Sequence, residues 1–226
     1  MPTMLVTGAG RGLGLALVEA YARRGWRVHA CCRNPDRAYA LRGIAGDVVL
    51  HRLDVRDQTA YRPLADALVG EAIDVLIANA GIPGPEDRIE MLDVPAWFEA
   101  FHVNSIAPLV LAGALRRHVA RSAERKMIAI SSILGSIGDN RSGGLYAYRC
   151  SKAALNMAWR SLACELRGEG IVCAVVHPGW IRTAMGGEGA PLAPGEAAEA
   201  LFALIAGLDL GRSGCFLDPR GRECPW

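Results

Sequence analysis

The stretch Thr7-Gly8-Ala9-Gly10-Arg11-Gly12-Leu13-Gly14 most narrows what this chain can become. An apolar run of strand length, Thr3–Thr7, leads into it. A helical pattern from Leu13 to Arg24 follows and is closed by Gly25. Glycine suits that closing position because helices commonly end in left-handed backbone. A strand, a bare turn and a helix N-terminus together make a cradle for phosphate. Unobstructed backbone lets a pyrophosphate approach, and the unpaired N–H groups and helix dipole favour its charge. The spacing is not G-x-G-x-x-G, because the sixth residue counted from Gly8 is Leu13. It is Thr-Gly-x-x-x-Gly-x-Gly on Gly8, Gly12 and Gly14. With a strand before it and a helix after it, a nucleotide site is a better reading than a flexible loop.

The alternation continues to the end of the chain. Strands are predicted at Arg27–Cys32, Asp47–Leu53, Asp74–Ala78, Lys126–Ser132, Ile171–Val176 and Gly214–Leu217. Helices are predicted from near Asp57, over Val94–Val119, from about Leu145 through Arg167, and over Gly195–Ala206. Strands that alternate with helices build a doubly wound parallel sheet, here of about seven strands with helices on both faces. No linker, repeat or low-complexity tract interrupts the 226 residues, so 1–226 reads as a single domain. The net charge of +2 gives no reason to invoke nucleic acid or an anionic membrane. The longest apolar runs, Val75–Ala80 and Ile171–Val176, have strand length and fall well short of the ~18 residues of a membrane span. Met1-Pro2-Thr3-Met4 does not begin a secretory signal. Seven scattered cysteines with no Cys-x-x-Cys pair read as reduced thiols, so a cytoplasmic setting is expected and no metal is implied.

The predicted strand ends gather the candidate binding residues. Arg27–Cys32 runs into Arg33-Asn34-Pro35-Asp36, about 20 residues beyond the glycine turn, where an acid would hold the 2′-hydroxyl of NAD. Arg33 at that point suits a 2′-phosphate instead, and Arg11 inside the turn is a second phosphate candidate. Asp36 argues weakly the other way; a helix N-cap after Asn34-Pro35 is its preferred role. NADP(H) is therefore expected, with NAD(H) possible. Asp54-Val55 follows the third strand, where the Asp54 carboxylate could take the adenine amino group or cap the helix beginning near Asp57. Asn79-Ala80-Gly81 follows the fourth, and its small residues permit close approach of a ligand.

Tyr148 and Lys152 lie four residues apart on a predicted helix and so share one face. An ammonium beside the phenol is expected to favour phenolate and lower its pKa from about 10. Tyr148 then becomes a usable proton donor near neutral pH. Alone the pair is weak, since such spacing also arises on solvated helix faces. Pro108 falls inside the predicted Val94–Val119 helix and supplies no N–H to the carbonyl four residues earlier, that of Asn104. The expectation is either a simple kink or a polar break that presents Asn104 to water near the lysine.

Several separated landmarks now stand in one order: Thr-Gly-x-x-x-Gly-x-Gly at 7–14, Asn-Ala-Gly at 79–81, Asn104, Ser132, Tyr-x-x-x-Lys at 148–152, then Pro178-Gly179 and Thr183. The chain resembles the short-chain dehydrogenase/reductase family over almost its whole length. The stretches 130–152, 177–183 and 216–222 make it similar to the C-factor and sniffer-type carbonyl reductase branch. The resemblance implies a Rossmann-type sheet. It implies Ser132, Tyr148 and Lys152 as catalytic residues, with Asn104 holding a water that relays protons. It implies Gly8, Arg11, Gly12, Leu13, Gly14, Arg33, Asp54, Val55, Asn79, Ala80, Gly81, Tyr148, Lys152, Pro178, Gly179, Ile181 and Thr183 around the dinucleotide. It also implies hydride exchange between NADP(H) and a small carbonyl or secondary alcohol, and a homodimer or homotetramer paired through the two long helices. The serine-to-tyrosine interval is 16 residues, a few more than in many family members. Ser131 and Ser136 therefore rival Ser132, and Tyr146 rivals Tyr148 by proximity, although residue 150 is Cys rather than Lys. The alternative function is a dinucleotide-binding signalling or sensing protein with little turnover. The expected substrate walls are Ile82–Arg88, Ile133–Gly144 and Trp180–Pro194, and the sequence names no substrate within that class.

Overall fold

The computed structural model describes residues 1–85 and 88–226. Its strands are β1 (Thr3–Thr7), β2 (Arg27–Cys32), β3 (Val48–Arg52), β4 (Val75–Ala78), β5 (Lys126–Ile130), β6 (Val172–Val176) and β7 (Phe216–Leu217). They form one sheet in the order β3-β2-β1-β4-β5-β6-β7, with every pairing parallel. The helices are α1 (Gly12–Ala22), α2 (Tyr39–Arg42), α3 (Tyr61–Ala67), α4 (Val94–Phe101), α5 (Ala107–Ala120), α6 (Tyr146–Leu166) and α7 (Pro194–Ala206). The chain winds outward from β1 to β3, then crosses back to β4 on the other side of β1. A crevice opens at such a reversal, beyond the carboxyl ends of the strands.

The central strands are apolar on both faces because both faces are covered. Met4 and Val6 of β1 join one core with Leu13 and Leu17 of α1 and Leu201 of α7. Leu5, between them, joins the other core with Leu64 of α3, Leu111 of α5 and Trp159 of α6. β5 divides in the same way, with Ile128 and Ile130 on the first side and Met127 and Ala129 on the second. The expected Rossmann-type doubly wound sheet is the fold observed.

The helix predicted over Val94–Val119 is not continuous. A π-helical turn, His102–Ile106, separates α4 from α5. Pro108 offers no N–H to Asn104, and the hydrogen-bond register slips instead: the Ala107 N–H reaches the His102 carbonyl five residues back. The longest continuous apolar runs do fall short of a membrane span, yet one helical segment contains a long apolar window. By length and composition alone Val94–Ala120 would qualify, its 27 residues containing an 18-residue window of mean hydropathy 1.3. In the fold, 50% of that window is buried. Its apolar side packs against β4, β5 and α6, the place of a core helix. None of the seven cysteines is in a disulfide among the described residues.

Candidate active site

The glycine turn closes against the end of β4. Gly8 and Gly12 have φ of +69° and +57°, backbone that side chains resist. A Cβ on Gly14 would strike the Gly8 carbonyl and come within 2.7 Å of Asn79 Nδ2. The Asn79 and Ala80 N–H groups both donate to Thr7 Oγ1 at 3.1 Å, and Asn79 Nδ2 donates to the Thr7 carbonyl at 2.9 Å. The Asn79 amide thus ties the two central strand ends together. Among the described residues no side chain caps α1, and its first turn carries no acid, which leaves its leading N–H groups to an anion. Leu13 is core, so only its backbone can serve a ligand. Thr183, on the loop after β6, stands against this turn: a Cβ on Gly12 would lie 3.2 Å from its Cγ2. Ile181 and Leu192 close that loop by a backbone bridge, and Gly179 enters it at φ +92°.

Around the reactive pair, α6 presents Tyr148 and Lys152 toward the end of β5. Lys152 is 4% exposed and donates to the Ile130 carbonyl at 3.0 Å. Burial pulls its pKa down to about 8, so it is largely cationic at neutral pH. Its Nζ lies 5.9 Å from the Tyr148 ring centroid. Tyr148 departs from expectation here. Burial pushes its phenol up, and the opposing downward influence is a hydrogen bond with Ser132 rather than the ammonium.

The rival serines have other occupations. Ser131 is 3% exposed and donates to Asn156 Oδ1 at 2.7 Å. Ser136 is 2% exposed and donates to the Trp226 carbonyl at 3.2 Å. Ser132 is half-buried, accepts the Leu134 N–H at 3.1 Å, and is the group that draws the Tyr148 pKa down against burial. Tyr146 opens the first turn of α6 and has Cys150, not a lysine, four residues on.

Asn104 is fully buried, and its amide is already committed. Oδ1 accepts the Ile82 N–H at 2.9 Å, while Nδ2 donates to the Ile82 carbonyl and Ser151 Oγ, each at 3.0 Å. It fastens the loop after β4 to α6, and Oδ1 keeps a second acceptor position beyond the Ile82 N–H. A Cβ on Gly81 would lie 3.2 Å from Asn104 Oδ1 and 3.6 Å from Lys152 Nζ. Gly81, Asn104 and Lys152 therefore converge. Of the expected substrate walls, Glu86 and Asp87 lie outside the described residues.

At the ends of β2 and β3, Arg33, Asn34, Arg52, Asp54, Arg56 and Asp57 line a cleft of about 520 Å³. Arg33 is exposed there. Asp36 is not the helix cap expected of it. It pairs with Arg52 at 2.6 Å and Arg42 at 3.3 Å, because those guanidiniums out-compete a neighbouring N–H. Asp54 is held by Arg56 at 2.6 Å, which with nearby Arg33 keeps its carboxyl below the usual range, and the cap near 57 is Asp57 itself. Val55 accepts the Tyr61 hydroxyl. Arg52 and Arg56 went unnoticed in the sequence. Parallel pairing of Cys32 with Arg52 brings the two strand ends together, and that register was the signal available.

A family model described as short chain dehydrogenase matches residues 2–191. The chain belongs to the short-chain dehydrogenase family. The C-signal protein of Myxococcus xanthus is 40% identical over 154 residues, 68% of this chain and 93% of that one. The carbonyl reductase Sniffer of D. melanogaster superposes over the whole of both chains with a TM-score of 0.95 at 32% identity. An NADPH-bound carbonyl reductase from chicken fatty liver superposes with a TM-score of 0.93 at 33% identity, over 100% of this chain and 99% of that one. This short-chain dehydrogenase is of the C-factor and sniffer type, an oxidoreductase by family. Its uncapped α1, its bare glycine turn and the arginine-lined cleft suit the pyrophosphate and adenosine ends of a dinucleotide.

Proposed function

We propose that the protein is an NADPH-dependent carbonyl reductase in which Tyr148 is the general acid. The observation that carries the reading is Tyr148 and the buried Lys152 on one helix face, with Lys152 Nζ 5.9 Å from the Tyr148 ring and bonded to the Ile130 carbonyl two residues before Ser132. When bound, NADPH supplies the hydride. Ser132 and Tyr148 donate hydrogen bonds to the carbonyl oxygen of the substrate, and Tyr148 releases its proton as that oxygen becomes an alkoxide. A raised phenol pKa keeps Tyr148 protonated at neutral pH, which favours reduction over alcohol oxidation. Lys152 holds the ribose hydroxyls. Pro178, Gly179, Ile181 and Thr183 border the nicotinamide, and Arg33 with Arg11 takes the 2′-phosphate.

The test is NADPH and NADH consumption against a panel of aldehydes, ketones and quinones, run on the wild type and Arg33→Asp. NADPH-dependent turnover is expected. Arg33→Asp should weaken NADPH roughly 10- to 100-fold and leave NADH little changed, since a charged hydrogen-bond partner becomes a repelling charge. Equal losses on both cofactors would remove Arg33 from the phosphate site. The likeness to C-signal favours a second reading, a dinucleotide-binding signalling protein. Tight NADPH binding without turnover on any carbonyl would put that reading first.

A further inference from the structure

Asn156 lies one turn beyond Lys152 on α6, so Tyr148, Lys152 and Asn156 follow one another along a single helix face. It is 3% exposed, and both ends of its amide are used on the segment that carries Ser132. Oδ1 accepts from Ser131 Oγ at 2.7 Å, and Nδ2 donates to the Gly135 carbonyl at 3.2 Å. These two contacts bracket Ser132 in the chain. The segment also presses directly on the helix: a Cβ on Gly135 would lie 2.7 Å from Lys152 Cβ and 2.9 Å from the Lys152 carbonyl carbon. On its far side the segment is fastened by Trp226, whose carbonyl accepts from Ser136 Oγ at 3.2 Å and the Gly138 N–H at 2.7 Å. Ser132 itself has the Leu134 N–H as its local tether.

The geometry points to Asn156 as a positioning residue that fixes Ser132 against Tyr148 by gripping the chain on either side of the serine. This rests on the reading of Ser132 and Tyr148 as the groups that meet the carbonyl oxygen. One amide thereby couples the helix that supplies the acid to the loop that supplies its hydrogen-bond partner. Cutting that amide leaves the segment to its Trp226 and Leu134 tethers and loosens the alignment of the pair, even if the fold survives. Because the Ser132 hydrogen bond lowers the Tyr148 pKa, a retreating serine also leaves the phenol titrating higher.

The experiment compares Asn156→Ala, Ser132→Ala, their double variant and Tyr148→Phe, using NADPH and whichever panel carbonyl the wild type reduces fastest. For Asn156→Ala we expect kcat to fall about tenfold through misalignment. The NADPH Kd should stay within about twofold, and the alkaline limb of the pH profile should move to higher pH. In the Ser132→Ala background the same change should have no further effect, because it acts through that serine. Ser131→Ala, which removes one arm of the grip, should shift kcat and the pH limb in the same directions and by less. It decides the matter if Asn156→Ala does not fold. An unchanged kcat, an equal loss in the Ser132→Ala background, or a parallel rise in NADPH Kd would overturn the proposal. The controls separate the two levels. No turnover on any carbonyl, or full activity in Tyr148→Phe, removes the catalytic reading itself. An inactive Tyr148→Phe beside a wild-type-like Asn156→Ala removes only the role of Asn156.

Discussion

Lys152 is buried at a cost. An ammonium 4% exposed, with one carbonyl as its partner, gives up most of its hydration, and its pKa falls to about 8. In the unfolded chain the same group titrates near 10.4. Between those values the unfolded state binds the proton that the folded state has lost, so stability from this group rises as pH goes from about 8 to 10.4. Below about pH 8 both states carry the charge, and the full burial cost stands. Lys152→Met removes the titration. The Tm of the wild type relative to Lys152→Met should therefore rise across that window and stay level below it. Thermal unfolding at several pH values checks this, and a difference that is flat through pH 10 would mean the ammonium is solvated. The same residue scale shows where the sequence stops being readable. Ser131, Ser132 and Ser136 are chemically alike, and their roles depend on which partner the fold brings within hydrogen-bond reach. Asn156 looked like any polar residue on a helix, because its two partners are 25 and 21 residues earlier in the chain.

At the level of elements, the glycine turn was legible because its chemistry is local. A strand end, two left-handed glycines and an uncapped helix start need only neighbouring residues. Gly14 is the exception that ties the turn to a distant strand, since its missing side chain leaves room for the Gly8 carbonyl and the Asn79 amide. Gly14→Ala should cost about 1–3 kcal/mol by overpacking, lowering Tm and weakening NADPH binding together. Calorimetry of the variant with and without NADPH would contradict this if either stayed at the wild-type value. Pro108 was legible as a break but not as a π turn. Whether a lost hydrogen bond becomes a kink or a register slip depends on the packing of α6, where Ser105 Oγ donates to the Ser151 carbonyl at 2.6 Å. The two arginine pairs near the β2 and β3 ends were equally hidden. A cap role for Asp36 follows from its neighbours in sequence, whereas Arg42 and Arg52 reach it through the fold.

On the scale of the whole molecule, strand order decides where the chemistry can sit. The reversal between β1 and β4 opens the crevice. The ends of β1, β4, β5 and β6 then deliver the glycine turn, Gly81, Ser132 and the 178–183 loop to one rim, while α6 supplies Tyr148 and Lys152 from the side. Alternation of strands and helices made that arrangement readable before any coordinate. The lean of each side chain within it, including a phenol held up by burial rather than down by its lysine, was not. The account stands on Tyr148 as proton donor. The most direct measurement is NADPH-dependent carbonyl turnover of Tyr148→Phe beside the wild type, with NADPH affinity determined on both. Turnover should fall by about 100-fold or more while NADPH affinity stays close to the wild type, because the ring remains and only the hydroxyl is gone. Turnover near the wild-type rate would contradict the account, since the proton would then come from another group.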